Sequence, residues 1–147
     1  MSGEERPDFY TQKGYQMRRH EKMTGAMEDY LEMICRQAQT DDYVRIGDLA
    51  GRLNVRPSSA SKMVGQLREL GLVSFERYGL IQPTAEGWQA GRWLLHRHEV
   101  LHQFFRLVNS SANELELVEQ VEHYIDARTV SNLEALMGRL DDPAGRE

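Results

Sequence analysis

The sequence has little that would crosslink the chain covalently or anchor it in a lipid bilayer. Cys35 is the single cysteine among 147 residues, so an intrachain disulfide and a thiolate-rich zinc site are both excluded. No stretch approaches the roughly 18 apolar residues of a membrane span, and the first ten residues, MSGEERPDFY, are too polar for a secretory signal peptide. We therefore expect a protein of the reducing cytoplasm with no membrane partner.

Positive charges are outnumbered, with 18 Lys or Arg against 23 Asp or Glu. The net charge is −5, whereas a protein that neutralises nucleic-acid phosphates usually has a basic surface. The average hides an asymmetry: residues 45–92 contain seven Lys or Arg and four Asp or Glu, and residues 114–142 contain eight acids and two bases. One half of the chain therefore has the charge to contact DNA, and the other has the carboxylates to bind cations.

Apolar residues at helical spacing begin after residue 24, so residues 1–24 are predicted to be a flexible leader and the remainder a mainly α fold. Helices are predicted over about residues 25–39, 46–53, 59–70, 84–108, 113–126 and 129–140. Ser58 or Ser59 is expected to cap the third helix, Gly71 to end it and Thr84 to cap the fourth. Two short extended runs on either side of Gly79 predict a hairpin.

The order of helix, turn, helix and hairpin is typical of a winged helix-turn-helix, which we assign to residues 25–88. In this arrangement the second helix enters the major groove and the wing lies along the DNA backbone. The second helix, the turn before it and the wing carry hydroxyls and amides that can read base edges and cations that can bind phosphates. These candidate DNA-binding residues are Arg56, Ser58, Ser59, Ser61, Lys62, Gln66, Arg68 and Arg77. A small helical hairpin that never contacts DNA would show a similar solvated face.

Residues 89–142 are assigned to a helical metal-binding and dimerisation domain, followed by a tail at 143–147. Three helices present potential metal ligands at spacings that place them on one face of each helix: Asp29 and Glu32, then His98, then Glu119, Glu122 and His123. Such a set, without thiolates, can surround one or two ions of the Mn(II) or Fe(II) class, although Zn(II) or Co(II) would also bind. The alternative is a solvated acidic surface with histidines that are not ligands.

Four stretches of the sequence resemble the manganese transport regulators, a branch of the iron-dependent, diphtheria-toxin-repressor family. They are Met27-Glu-Asp-Tyr-Leu-Glu32, Pro57-Ser-Ser-Ala-Ser-Lys-Met-Val64, Arg97-His-Glu-Val-Leu101 and Val118-Glu-Gln-Val-Glu-His123. The resemblance covers roughly residues 27–140 and implies that all six candidate ligands belong to a two-metal site. The iron-sensing branch has a methionine at the position of Asp29 and a cysteine at that of Glu119, so the carboxylates here favour manganese.

The resemblance also implies a repressor that binds double-stranded operator DNA as a homodimer when loaded with two Mn(II) ions per subunit, and that silences manganese uptake genes. Family members dimerise through their C-terminal helices. Apolar positions suited to this interface are Leu117, Val118, Val121, Ile125, Val130, Leu133, Leu136 and Met137. Part of this stripe is alternatively intramolecular core.

Three other functions compete with this interpretation. The first is a repressor of the same fold that responds to Fe(II) or Zn(II), and the second is a winged-helix regulator without a metal switch. The third is a two-metal enzyme, but a helical di-iron centre usually takes ligands from four long helices with Glu-x-x-His on two of them. Because the chain offers only Glu119-x-x-Glu122-His123, we expect no enzymatic activity.

Overall fold

The computed structural model describes residues 23–141; residues 1–22 of the leader predicted at 1–24, residue 142 and the tail predicted at 143–147 lie outside that range. The described chain contains helices α1 (Gly25–Ala38), α2 (Ile46–Leu53), α3 (Pro57–Glu69), α4 (Ala85–Asn109), α5 (Leu115–Val121) and α6 (Ala127–Asp141). It also contains strands β1 (Val44–Arg45), β2 (Val73–Glu76) and β3 (Leu80–Pro83), with 3-10 turns at Arg77–Gly79 and Glu122–Tyr124. The mainly helical fold predicted from the sequence is confirmed.

Local capping explains where several helices begin and end. The Thr84 hydroxyl accepts a hydrogen bond from the Gly87 amide at 3.1 Å, which confirms the predicted start of α4. Gly71 has a φ of 77°, and the Leu72 amide donates to the Leu67 carbonyl at 3.0 Å, a pairing that closes the C-terminus of α3.

The predicted serine cap of α3 is wrong. The helix begins at Pro57, and Arg56 occupies the capping position without a side-chain hydrogen bond. Proline is favoured at the first helical position because its fixed φ suits the helix and its missing N–H is not needed there. Ser58 and Ser59 consequently lie inside the first turn, where both are exposed.

The wing is a three-stranded antiparallel sheet in the order β1-β3-β2. Val44 pairs with Ile81, and Glu76 pairs with Leu80 across the hairpin. Strand β1 was not predicted, because two residues are too few to show an alternating pattern. It ties the connection before α2 to the wing.

Two apolar clusters lie along α4. The larger one joins α1, α2, α3, the sheet and the first half of α4, and includes the fully buried Leu31, Leu49 and Ile81. The smaller one joins the second half of α4 to α6 through Val100, Val130 and Met137. The boundary predicted after residue 88 thus lies within α4, a single 25-residue helix that contributes to both clusters. Within residues 23–141, no helix has the length and hydropathy of a membrane span.

Candidate metal centre and DNA-binding surface

Five of the six predicted ligands converge between α1, α4 and the 3-10 turn after α5. Glu32, His98 and Glu122 form one group, and Asp29, Glu122 and His123 form another; in each group the potential ligand atoms lie within 4.8 Å of one another. Glu122 belongs to both groups. The structure therefore offers two adjacent ligand sets that share one carboxylate.

The centre is buried on one side and open on the other. Glu122 is 2% exposed and its Oε2 lies 2.9 Å from His98 Nδ1, whereas the Asp29 side chain is 49% exposed and its Oδ1 lies 3.0 Å from His123 Nε2. A pocket of about 240 Å³ opens beside these groups. Its lining residues are Asp29, Glu32, Met33, Arg52, Leu53, Glu119 and Glu122.

Glu119 lines this pocket but is exposed and belongs to neither group. The single acidic helix predicted over residues 113–126 is wrong: α5 ends at Val121, and Glu122–Tyr124 form a 3-10 turn. Side chains three residues apart still lie on one side of such a turn, and Glu119 and Glu122 line the same pocket. The role of Glu119 as a ligand stays a prediction.

Burial and crowding of negative charge distinguish Glu32 from an ordinary surface carboxylate. Burial, and then the charge of Glu122, raise the pKa of Glu32 to about 7, although the charges of His98 and Arg36 act in the opposite direction. The hydrogen bond with Glu122 raises the pKa of His98 against the effect of burial. This side of the centre therefore stabilises positive charge.

His123 bridges two carboxylates of α1. Hydrogen bonds with Asp29 and Glu28 raise the pKa of His123 to about 10. Its Nδ1 lies 2.8 Å from Glu28 Oε1, and the same oxygen accepts a hydrogen bond from Arg97 Nη2 at 3.0 Å. Burial would raise the pKa of Glu28, but the bonds with His123 and Arg97 lower it overall.

Glu28 and Arg97 were missed by the analysis of spacing. Each is adjacent in sequence to a predicted ligand. Adjacent residues of a helix point about 100° apart, so a search for ligands on one helix face does not select Glu28 or Arg97. Arg97 is nevertheless 4% exposed. Glu28 contacts His123 Nδ1 and is itself held by Arg97, while His123 Nε2 faces Asp29.

The residues present fit a divalent cation. Glu32 Oε1 is buried and has no hydrogen-bond partner among the described residues, an arrangement that costs free energy unless a positive group meets the carboxylate. The surrounding donors are carboxylate oxygens and imidazole nitrogens. These are the ligand types that Mn(II), Fe(II) and Zn(II) accept in proteins, and they include no sulfur.

A second surface carries the predicted DNA-reading residues. Along α3 and the turn before it, the exposed side chains are Arg56, Ser58, Ser59, Lys62, Gln66 and Arg68, and Ser61 is partly buried. The guanidinium of Arg68 lies 6.0 Å from the centroid of the Phe75 ring in β2, which links α3 to the wing. The side chain of Arg77 lies outside what the structure describes.

Residues 22–80 match the family described as iron dependent repressor, N-terminal DNA binding domain. The HTH-type transcriptional regulator MntR of Bacillus velezensis is 32% identical over 125 residues, which are 84% of this chain and 88% of that protein. The chain belongs to the MntR branch of the iron-dependent repressor family. This membership confirms the resemblance seen in the sequence and the prediction of a transcriptional regulator rather than an enzyme.

Solved structures agree with this assignment. The manganese regulator SloR superimposes with a TM-score of 0.69 at 23% identity, over 79% of this chain and 55% of SloR, and supports the fold alone. A manganese-dependent transcriptional repressor in complex with manganese is 31% identical, with a TM-score of 0.64 over 76% of this chain and 52% of that one. The chain therefore spans about half the length of these two solved proteins.

Proposed function

We propose that this chain is a Mn(II)-dependent transcriptional repressor that binds operator DNA through α3 and the wing. The observation that carries the proposal is the convergence of Asp29 and Glu32 from α1 with His98, Glu122 and His123 from α4 and the turn after α5. Helix α1 packs in the same cluster as α3, so a site that joins α1 to the C-terminal helices can influence how α3 is presented to DNA.

Five clustered side chains, with Glu119 as a sixth from the edge of the pocket, would hold the metal. When bound, the ion would supply positive charge, and the carboxylate oxygens and imidazole nitrogens would form its coordination shell. The two groups that share Glu122 support a capacity of two ions per subunit. A ligand set rich in oxygen atoms favours Mn(II). Fe(II), Co(II) and Zn(II) are alternatives, and discrimination against them must come from coordination geometry, because affinity alone does not favour Mn(II).

The response to metal follows from the charges of the chain itself. Without a bound cation, the ionised forms of Glu32 and Glu122 repel each other, as the raised pKa of Glu32 indicates. Once that repulsion is neutralised, α1 and the turn after α5 can be held together in one arrangement. Metal then selects a DNA-binding subset of conformations, and operator DNA must tighten metal binding by the same factor.

A homodimer would place two α3 helices on successive half-sites, about 34 Å apart along the DNA. Much of the predicted apolar stripe is used within the chain, since Val130 and Met137 are buried with Ile125 and Leu133 packed on them. Exposed apolar side chains of the C-terminal helices remain available for a partner subunit: Leu107, Val108, Leu115 and Leu136. We place the repressor in the cytoplasm, with manganese uptake genes as its targets.

The test begins with random duplexes of about 30 base pairs, which accommodate two half-sites, selected on the Mn(II)-loaded full chain. Fluorescence anisotropy of the selected duplex is then measured at fixed salt with EDTA, Mn(II), Fe(II), Co(II) or Zn(II). We expect Mn(II) to tighten binding by at least about 100-fold, within the usual range of allosteric coupling. Equal affinity in EDTA and in Mn(II) would show that the metal switch does not exist.

Two matched variants locate the switch. Glu122→Gln removes the carboxylate shared by both groups, and Glu99→Gln removes a carboxylate one residue from His98 that is exposed and bonds only to Gln103 among the contacts described. We expect the first to abolish the response to Mn(II) and the second to preserve it. Glu119→Gln, measured alongside, decides whether the residue at the edge of the pocket is a ligand.

A further inference from the structure

Tyr78 at the tip of the wing is the most exposed large apolar side chain in residues 23–141, at 92% exposure. It lies between β2 and β3, in the 3-10 turn Arg77–Gly79. An aromatic ring that is exposed to solvent at the tip of a loop does not pack in the apolar core. The side chain therefore has no evident role in holding the wing together.

The backbone at Tyr78 is strained as well. Its φ of 70° and ψ of 18° are left-handed, and Gly79 follows with a φ of 72°. Successive positive φ angles are characteristic of tight hairpin turns, where Asn-Gly and Asp-Gly are favoured and a bulky residue is not. The other described non-glycine residues with positive φ, Asn54 and Ser110, are small polar residues at helix C-termini.

The tip is nevertheless fixed relative to the helix-turn-helix. A Cβ built on Gly79 would lie 2.7 Å from Ile46 Cγ2, so the turn is pressed against the start of α2. Arg45 of β1 pairs with Leu80 immediately after the turn. At the other side of the wing, Arg68 of α3 packs over Phe75. The backbone that carries Tyr78 is thus held in a defined position on the wing.

We propose that Tyr78 is a DNA-contact residue whose ring packs on the deoxyriboses bordering the minor groove next to the base pairs read by α3. The inference rests on the proposed binding of operator DNA and identifies a residue for it. A phenol suits this surface because its ring meets the apolar edge of the sugar while its hydroxyl can donate to a phosphate oxygen. Such a contact positions the protein on DNA and carries no base specificity.

The decisive variant is Tyr78→Asn, because asparagine tolerates the left-handed backbone and lacks the ring. We expect its melting temperature to rise by about 3 °C through relief of strain, while the affinity for DNA falls about tenfold, as for loss of one packed aromatic contact. The loss should be equal for the selected operator duplex and for an unrelated duplex. The slope of affinity against salt should stay unchanged, since no cation is removed.

Two comparisons make the result specific. Tyr78→Phe keeps the ring and should bind within about threefold of the wild type. Tyr43→Asn removes another tyrosine ring, which is 48% exposed before β1, and should leave affinity unchanged. Hydroxyl-radical cleavage should show protected deoxyriboses at the flanks of the site, and Tyr78→Asn should lose that protection.

The measurements distinguish failure of the role of Tyr78 from failure of the proposed repressor function. Wild-type protein that binds the duplex in Mn(II), with Tyr78→Asn binding equally well, would overturn the role of Tyr78 and leave the repressor intact. A wild type that binds no duplex in either Mn(II) or EDTA would overturn both.

Discussion

Replacing Glu32 with glutamine should make the metal-free protein more stable. The pKa of Glu32 rises from its ordinary value of 4.5 to about 7, and each pKa unit corresponds to about 1.4 kcal/mol. The ionised carboxylate therefore destabilises the fold by about 3 kcal/mol at pH 8. Its side chain is 13% exposed, so solvent screening reduces this figure little.

The favourable partners of Glu32 are already included in this figure, because the charges of His98 and Arg36 both lower the pKa of Glu32. Arg36 Nη2 lies 3.3 Å from Glu32 Oε2, but the arginine is 42% exposed and such a pair contributes under about 1 kcal/mol. We therefore expect Glu32→Gln to increase the free energy of unfolding by about 3 kcal/mol at pH 8.

The effect must depend on pH in one direction. Below pH 4.5 Glu32 is protonated in both the folded and the unfolded chain and contributes no difference. Between pH 4.5 and 7 the unfolded chain loses this proton first, so stability falls as pH rises through this window. Glutamine does not titrate, and the advantage of the variant should shrink to about 1 kcal/mol at pH 5.

Urea unfolding in EDTA at pH 5 and pH 8 measures the difference, with Glu99→Gln as a control that should change little at either pH. Destabilisation by Glu32→Gln at pH 8, or an equal gain at both pH values, would refute the reasoning. With Mn(II) at about 100 times its dissociation constant, the wild type should gain about 3 kcal/mol, and the variant should gain much less. The advantage of the variant in EDTA should then be largely cancelled in Mn(II).

Three further predictions concern the packing around α1 and α4. Glu28→Ala should lower the free energy of urea unfolding by about 3 kcal/mol, because it leaves the buried Arg97 without its carboxylate; a loss below about 1 kcal/mol would contradict this. Gly91→Ala would place a Cβ against Cys35 Sγ and should lower the melting temperature, whereas the double variant with Cys35→Ala should recover most of the loss. Burial raises the pKa of the Cys35 thiol from 9.0 to about 11, so iodoacetamide at pH 8 should alkylate the native protein at least about 100-fold more slowly than the urea-unfolded chain; similar rates would show that the thiol is accessible.

Much of the fold was readable because its signals are local. Thr84 and Gly71 mark helix ends through hydrogen bonds to residues within a few positions of them. The face of α3 that carries Lys62 and Gln66 follows from helical periodicity alone. Asp29 and Glu32, three residues apart on α1, were likewise expected on one face, and both line the pocket.

Features that depend on distant contacts were not readable in this way. Glu28 and His123 are 95 residues apart, and Glu28 and Arg97 are 69 apart. Glu119 lies outside both ligand groups, and nothing in the local pattern of acids distinguishes one helix from a helix followed by a tighter turn at Glu122. The left-handed backbone of Tyr78 was equally hidden.

The sequence by itself determined the helices, the order of parts in the DNA-binding domain and the types of ligand available to a metal, because these depend on residue chemistry and on the period of a helix. Tertiary structure alone decided which ligands meet, that Glu122 is shared between two groups, and that Glu28 and Arg97 orient His123. The reason is physical: the distance between side chains on α1, α4 and the turn after α5 is set by how the helices pack, and packing depends on all the residues between them.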